Sequence, residues 1–325
     1  MKGLRAHHLK GLETTAVEEW QPGEPQEDQI RIAVAAAGAN FADLSALSGG
    51  RRPSPPVPFT PGLEVAGAVS AVGKGVKGFK VGDAVVAFTP WGGMAEQALA
   101  PAATAVALPK GLSMQTAAAL PLAYAGALLA LNRAHVGKED RLLVFGASRH
   151  IGLAAVSLGK LLGALVIASA AGDQRSMLPK EYGADHAIDP TTSPLVEAIA
   201  NATAKKGVSV VFDSVGGNSL AAAMPSVAIG ARIIIAGFAA GKPSTLNPMA
   251  IYAKNAEVLA ANTVLELSTN PEGVRAALQQ VVAWAAEGKL KPRVAAQFPL
   301  AQARHALDYV QTRRGSGAVL VTMGK

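Results

Sequence analysis

Cysteine is absent from this 325-residue chain, which removes disulfides and all thiolate metal ligation at once. The six histidines, at positions 7, 8, 135, 150, 186 and 305, show no metal-ligand spacing. A zinc site would have to gather carboxylates from distant segments, and none is expected. Charge is sparse: 16% of residues are Asp, Glu, Lys or Arg, while half are hydrophobic. That balance excludes disorder and suits a compact α/β protein. The net charge of +7 is scattered, with Arg51-Arg52, Lys205-Lys206 and Arg313-Arg314 the only adjacent basic pairs. No basic tract is interleaved with aromatics, which argues against nucleic acid as a partner. The longest apolar run, Ala117–Leu131, falls short of the roughly 20 residues of a membrane span and contains Pro121. "MKGLRAHHLKG" lacks the apolar core of a signal peptide, so the expectation is a soluble, cytoplasmic protein. The G-x-S-x-G elbow of serine hydrolases is missing as well.

What is present divides the chain. A length of 325 residues predicts two domains. Up to about Ser113, short Val/Ala/Ile runs bounded by Gly, Pro and Asp ("DQIRIAVAAAG", "LEVAGAVSAVG", "GDAVVAF", "ATAVALP") predict a partly closed β-barrel. Ser113 then stands as a candidate N-cap for a helical stretch. From Leu142 strands and helices alternate: strands at 142–145, 165–169, "HAID", 208–215 and 232–236, with helices at 151–162, 174–182, 194–204 and near Leu220. Nearly all-apolar strands separated by helices predict a parallel sheet covered on both faces, a doubly wound domain. Beyond Gly237, "EVLAANT" (Glu257–Thr263) reads as a strand and 271–287 as an amphipathic helix. The final strand has nothing nearby to pair with, so the tail is expected to return to the first domain and leave the α/β unit inserted within it.

The first βα turn of that unit, "LLVFGASRHIGLAA", carries the chemistry. A dinucleotide fingerprint places G-x-G-x-x-G here, the second glycine letting the pyrophosphate approach the backbone. In register the chain has Ala147, Arg149 and Gly152, with Gly146 one step earlier. A helix amino terminus still offers N–H groups and a positive dipole to an anion. The second strand ends at Ser169, where an NAD site would carry a carboxylate for the ribose 2′-OH; Arg175 follows. The first acid is Asp173; a strand tip without a carboxylate, with a hydroxyl and a guanidinium nearby, favours a 2′-phosphate, hence NADPH, although Arg175 also reads as a helix-surface residue.

Several stretches, "AAGANFADLSALSGG", "PPVPFTPGLEVAGAVSAVGKGVKGFKVGDAVVAF", "WGGMAEQALAP", "AAALPLAYAGALLAL" and "VVFDSVGGNSL", run through the whole chain in order. Together they resemble the zinc-free, zeta-crystallin-like quinone oxidoreductases of the medium-chain dehydrogenase/reductase superfamily. The resemblance implies a GroES-like β-barrel domain (1–118 plus 265–325) with an inserted Rossmann domain (119–264). It implies NADPH as cofactor and a homodimer paired through Glu257–Thr263. It also implies that Asn40 and Phe41 lie beside the nicotinamide, with Asn40 the catalytic candidate. Ser148, Arg149, His150, Ile151, Ser169, Arg175, Val215, Gly216, Phe238 and Ala239 are the further cofactor-binding candidates. Arg51, Trp91 and Tyr252 join Phe41 as candidates for the substrate wall.

The departures from that family's pattern gather at the same site. Ser148-Arg149-His150-Ile151-Gly152 replaces the usual Ala-Gly-Gly-Val-Gly, Gly126 a threonine, Arg51 a tyrosine and Ala318 a lysine. The expected activity is NADPH-dependent, metal-free hydride reduction of a quinone or another conjugated carbonyl compound. The altered turn and missing lysine raise an alternative of another class: a catalytically silent NADPH-binding sensor or pseudoenzyme of the same fold.

Overall fold

The computed structural model describes residues 1–51, 53–312 and 315–324, with the backbone alone for Asp173, Gln174, Arg175 and Ser176. The chain divides into two compact units, Met1–Ala125 with Glu266–Lys325, and Gly126–Leu265.

In the first unit, strands follow the Val- and Ala-rich runs of the sequence. Seven of them form one sheet: six lie in the order Val294–Pro299, Ala318–Thr322, Gln29–Ala39, Glu64–Val72, Ala84–Phe88 and Ala105–Ala107, and Gln97–Pro101 pairs with Gln29–Ala39 off that path. The carboxyl-terminal strand Ala318–Thr322 runs antiparallel to Gln29–Ala39, with Val319 opposite Ala39 and Thr322 opposite Ala36. Alternate residues of these strands, among them Ile30, Ile32, Val65, Val85 and Ala98, fill one buried cluster. A second cluster gathers Leu4, Leu47, Phe59, Leu307 and Val321 beneath the helices Phe41–Leu47 and Ala303–Gln311. Burying such side chains contributes about 1.5–3 kcal/mol each.

The second unit is an all-parallel six-stranded sheet. Its strands are Arg141–Phe145, Leu165–Ser169, His186–Ile188, Val208–Asp213, Val227–Ile235 and Glu257–Ala260. Numbered along the chain they lie in the order 3-2-1-4-5-6, the doubly wound arrangement that binds dinucleotides where the strand order reverses. Leu142, Leu143 and Val144 are fully buried, as a central parallel strand covered on both faces requires.

Several elements differ from the sequence reading. Val227–Ile235 starts earlier than expected because an irregularity, with Gly230 at φ 72°, lets the strand continue past exposed Ile229. The strand expected over Glu257–Thr263 stops at Ala260, and Thr263 opens the helix Thr263–Thr269. Ser113 does cap a helix, its Oγ accepting from the Thr116 N–H at 3.1 Å. That helix ends at Ala118, and a π-helical turn at Pro121–Ala125 precedes the helix Gly126–Arg133. Pro121 lacks the N–H that would continue the helical ladder. Among the described residues no helix is long and apolar enough to cross a membrane.

Candidate functional site

The candidate residues fall into two groups, one in each unit. In the second unit they gather at the carboxyl ends of the strands. The strand Arg141–Phe145 runs into Gly146, which sits at φ 66°, in the left-handed region open to glycine. Arg149 is the N-cap of the helix His150–Leu161 at φ −83° and ψ 164°, an extended conformation that any residue adopts. The turn therefore needs no glycine at 149. Gly152 is indispensable for a different reason: a Cβ there would lie 2.1 Å from the Gly146 carbonyl oxygen. Ser148 is buried, and the Arg149 stem lies over the turn, its Cγ 3.9 Å from where a Gly146 Cβ would be.

Two loops close on this turn. A Cβ at Gly146 would meet the Val215 Cγ2 at 2.8 Å, and Ser214 Oγ donates to the Phe145 carbonyl at 3.1 Å. Asp213, buried at the end of its strand, accepts from the N–H groups of Val215 and Gly216 at 2.9 and 3.1 Å, and from the hydroxyls of Ser219 and Ser244. The loop carrying exposed Phe238 is tied in by the Ala239 N–H to the Ser214 carbonyl at 3.1 Å. The cofactor candidates at 148–151, 215–216 and 238–239 are thus neighbours.

Ser169 joins them through its carbonyl, which accepts from the Ala147 N–H at 3.1 Å. Its side chain is only 2% exposed, and Ala171 and Gly172 are the residues facing solvent beyond it. Arg175 lies in the first turn of the helix Asp173–Glu181, and its side chain is outside the described residues.

Glycine turn, close loops and helix amino terminus together fit the pyrophosphate of a dinucleotide: first-turn N–H groups have no intrahelical acceptor and attract anions. At Gly126, where a threonine is missing, a Cβ would lie 2.6 Å from the Thr263 Oγ1, so that a threonine hydroxyl from another segment borders the place. Ala318, in place of a lysine, is buried at the start of its strand. Tyr252 stands 81% exposed on the helix Pro248–Lys254 and is not drawn into this group.

In the first unit, Asn40 is the N-cap of the short helix Phe41–Leu47. Its N–H donates to Asp43 Oδ2 at 2.8 Å, and its Nδ2 donates to Glu64 Oε1 at 2.7 Å. Glu64 and Asp43 are each 1% exposed. The other Glu64 oxygen accepts from the Leu122 N–H at 2.7 Å, and Asp43 Oδ1 accepts from the Gly62 N–H at 2.8 Å. Gly38 makes the room: a Cβ there would lie 2.0 Å from Glu64 Oε1.

Burial pushes the Glu64 carboxyl up to about 7, against the hydrogen bonds from Leu122 and Asn40 that favour its charge; nearby Asp43 raises it further. Burial likewise pushes Asp43 up to about 6, opposed by the Asn40 and Gly62 N–H groups and by the Arg51 charge. Arg51, its own pKa lowered by burial, donates from Nη1 to the Pro90 carbonyl at 2.7 Å. Trp91, next in the chain, packs on the apolar cluster around Leu4 and Leu307, while Phe41 is 47% exposed.

Glu64 and Asp43 are the residues that sequence reasoning missed. The available signal was a lone acid in the apolar run "FTPGLEVAGAV", where an unpaired carboxylate would be too costly to bury. No group of three or more His, Cys, Asp or Glu among the described residues is placed to hold a metal. Both Glu64 oxygens accept from N–H donors.

A barrel unit interrupted by a doubly wound sheet is the arrangement of the medium-chain dehydrogenase/reductases. Residues 26–110 match the family model described as "Alcohol dehydrogenase GroES-like domain", and residues 151–284 the one described as "Zinc-binding dehydrogenase". The chain is 31% identical to quinone oxidoreductase-like protein 2 of Bos taurus over 94% of its own length and 88% of the relative's. It is 30% identical to the quinone oxidoreductase of Sus scrofa over 92% of its length and 90% of that protein's. The structure of Escherichia coli quinone oxidoreductase complexed with NADPH is similar at a TM-score of 0.90 and 27% identity, covering 99% of this chain and 100% of that one. The chain belongs to the quinone oxidoreductase-like family of the medium-chain dehydrogenase/reductase superfamily.

Proposed function

We propose that this protein is a metal-independent NADPH-dependent reductase of a quinone or other conjugated carbonyl compound. The observation that carries the reading is the Gly146 turn, which keeps a backbone-built anion site at the head of the helix His150–Leu161 despite Arg149. NADPH would supply the hydride. Residues 148–151 would hold its pyrophosphate through backbone N–H groups, with Arg149 adding charge-assisted donors. Val215, Gly216, Phe238 and Ala239 would border the ribose and nicotinamide, and Arg175 would meet the 2′-phosphate. Asn40 would orient the nicotinamide and donate to the substrate oxygen on which negative charge develops. Phe41, Arg51 and Trp91 would border the substrate, and the proton would come from solvent.

The unpaired edge of Glu257–Ala260, paired among the described residues only with Val227–Ile235, supports a homodimer through that strand. Light scattering that returns a monomer would end that part of the reading. The absence of cysteine suits a reducing cytoplasm. The deciding experiment is NADPH oxidation against ortho-quinones, para-quinones, enals and haloacrylates. Turnover with one class supports the reductase. Clear NADPH binding with no turnover favours the sensor, for which the substitutions at Arg149 and Ala318 speak.

A further inference from the structure

Glu64 is a buried acid whose two nearest polar partners are both donors: the Asn40 amide nitrogen and the Leu122 backbone N–H, each at 2.7 Å. A carboxylate accepts freely on both oxygens, whereas protonation turns one of them into a donor with weakened acceptor capacity, and a glutamine has one acceptor oxygen only. Protonation therefore weakens one of these contacts, and a glutamine, whose NH2 cannot accept, loses one outright. The Leu122 N–H is fixed in the backbone. The Asn40 side chain can rotate, so it is the partner that yields.

We propose that Glu64 is a positioning residue for Asn40: its charged form locks the Asn40 amide in the orientation that meets the ligand, and protonation of Glu64 unlocks it. The proposal rests on the reading of Asn40 as the nicotinamide- and substrate-facing group. One of the two hydrogens on Nδ2 is committed to Glu64, and the other remains to donate to a ligand oxygen. Gly38 is part of the device, because any side chain there would occupy the carboxylate's place.

Glu64 would exchange its proton near neutrality, since burial has raised its pKa to about 7. The charged groups around it are few. Asp43 disfavours its charge, while the Arg51 charge favours that of Asp43. Tyr124 is buried in the turn that carries Leu122. On the neighbouring strands, Ala84–Phe88 carries no charge, and Arg31 of Gln29–Ala39 lies at the far end, opposite Ala71.

The test reads the Asn40 side-chain NH2 signals by NMR in the ligand-free, full-length protein, assigned by their loss in Asn40→Ala. They should move through one transition near pH 7 in the wild type and stay flat in Glu64→Gln. A companion titration measures NADPH affinity at pH 6 and pH 8. From pH 8 to pH 6 the wild type should lose about tenfold more affinity than Glu64→Gln, the effect of one charge-assisted hydrogen bond. The cofactor's own phosphate titrates equally in both proteins and cancels. Should Glu64→Gln fail to fold, the wild type still decides, because the Asn40 signals must shift at the same pH as the carbon-13 carboxyl resonance of Glu64. Asn40 signals that do not move between pH 5.5 and pH 8.5, or that move independently of Glu64, overturn the proposal. Coupled signals in a protein that binds no NADPH would leave the Asn40–Glu64 lock standing and remove the functional reading instead.

Discussion

The Gly146 turn and the Asn40–Glu64 contact each hold polar groups in a fixed place, by opposite means. The turn is backbone built within seven consecutive residues, Gly146 to Gly152, and its donors are main-chain N–H groups. The Asn40 contact joins segments 24 and 58 residues apart, Asn40 with Glu64 and Glu64 with Leu122, and its key part is a buried charge. A site made of backbone tolerates a foreign side chain, as Arg149 at an ordinary φ demonstrates. A buried carboxylate between two donors is less forgiving, because an amide of the same shape can accept from only one of them. The family pattern is broken in both units, at Ser148 to Ile151 and Gly126 in one and at Arg51 and Ala318 in the other, but the Asn40–Glu64 pair itself is kept.

The sharpest way to break this comparison is to attack the backbone itself. Gly152→Ala sets a methyl group 2.1 Å from the Gly146 carbonyl and forces helix and turn apart. Overpacking of this kind costs about 1–3 kcal/mol or more. Thermal unfolding should show a clearly lowered melting temperature, with NADPH binding lost in parallel. An unchanged melting temperature would mean that the close approach is not needed.

Comparable in size is the cost of the buried charge. For Glu64 the folded-state pKa of about 7 exceeds the ordinary 4.5, and Asp43 is likewise raised, to about 6 from 3.8. The folded state thus holds these protons more tightly than the unfolded chain. Their stabilising contribution is complete below the unfolded pKa and is lost as pH rises through the folded one. For Glu64 the loss between pH 4.5 and pH 7 is on the order of 3 kcal/mol. Denaturant unfolding across that range should show Glu64→Gln losing less stability with rising pH than the wild type. Parallel curves would contradict it.

Smaller effects separate charge from backbone at the turn. Arg149→Ala should weaken NADPH binding by about 1.5–3 kcal/mol if the guanidinium reaches the phosphates. Arg149→Gly should do the same, because the native φ of −83° gives glycine no conformational advantage. Isothermal titration that finds Arg149→Gly binding more tightly than the wild type would mark the arginine as an obstruction and favour the sensor. NADPH should also bind roughly tenfold to a hundredfold more tightly than NADH, with Arg175→Ala narrowing the gap. The smallest expected effect is none: strong chelators should leave folding and reductase activity unchanged, and elemental analysis should find no stoichiometric zinc. About one zinc per chain would sink the metal-free mechanism.

Much of the fold was legible because it is written in local pattern. Leu165–Ser169 was bounded by its apolar run, Ser113 announced its helix, and alternating strands and helices implied the parallel sheet. Gly146, Gly152 and Arg149 were visible as a turn because all of its parts are adjacent in sequence. Other features were not visible: the short helix Phe41–Leu47 behind Asn40, the irregularity at Gly230 and the end of the last parallel strand at Ala260. Each depends on neighbours that the local sequence does not contain.

The sequence by itself determined that this chain folds as a barrel unit interrupted by a parallel sheet, and where its first βα turn lies, because periodicity and glycine placement act over a few residues. Only the tertiary structure decided that Glu64, one acid in an apolar strand, sits beside Asn40 and Leu122. It also decided that Gly38 leaves room for that carboxylate, and that Arg149 needs no left-handed backbone. Solvation and hydrogen-bond partners set the charge and role of a buried group, and those come from segments that meet only when the chain has folded.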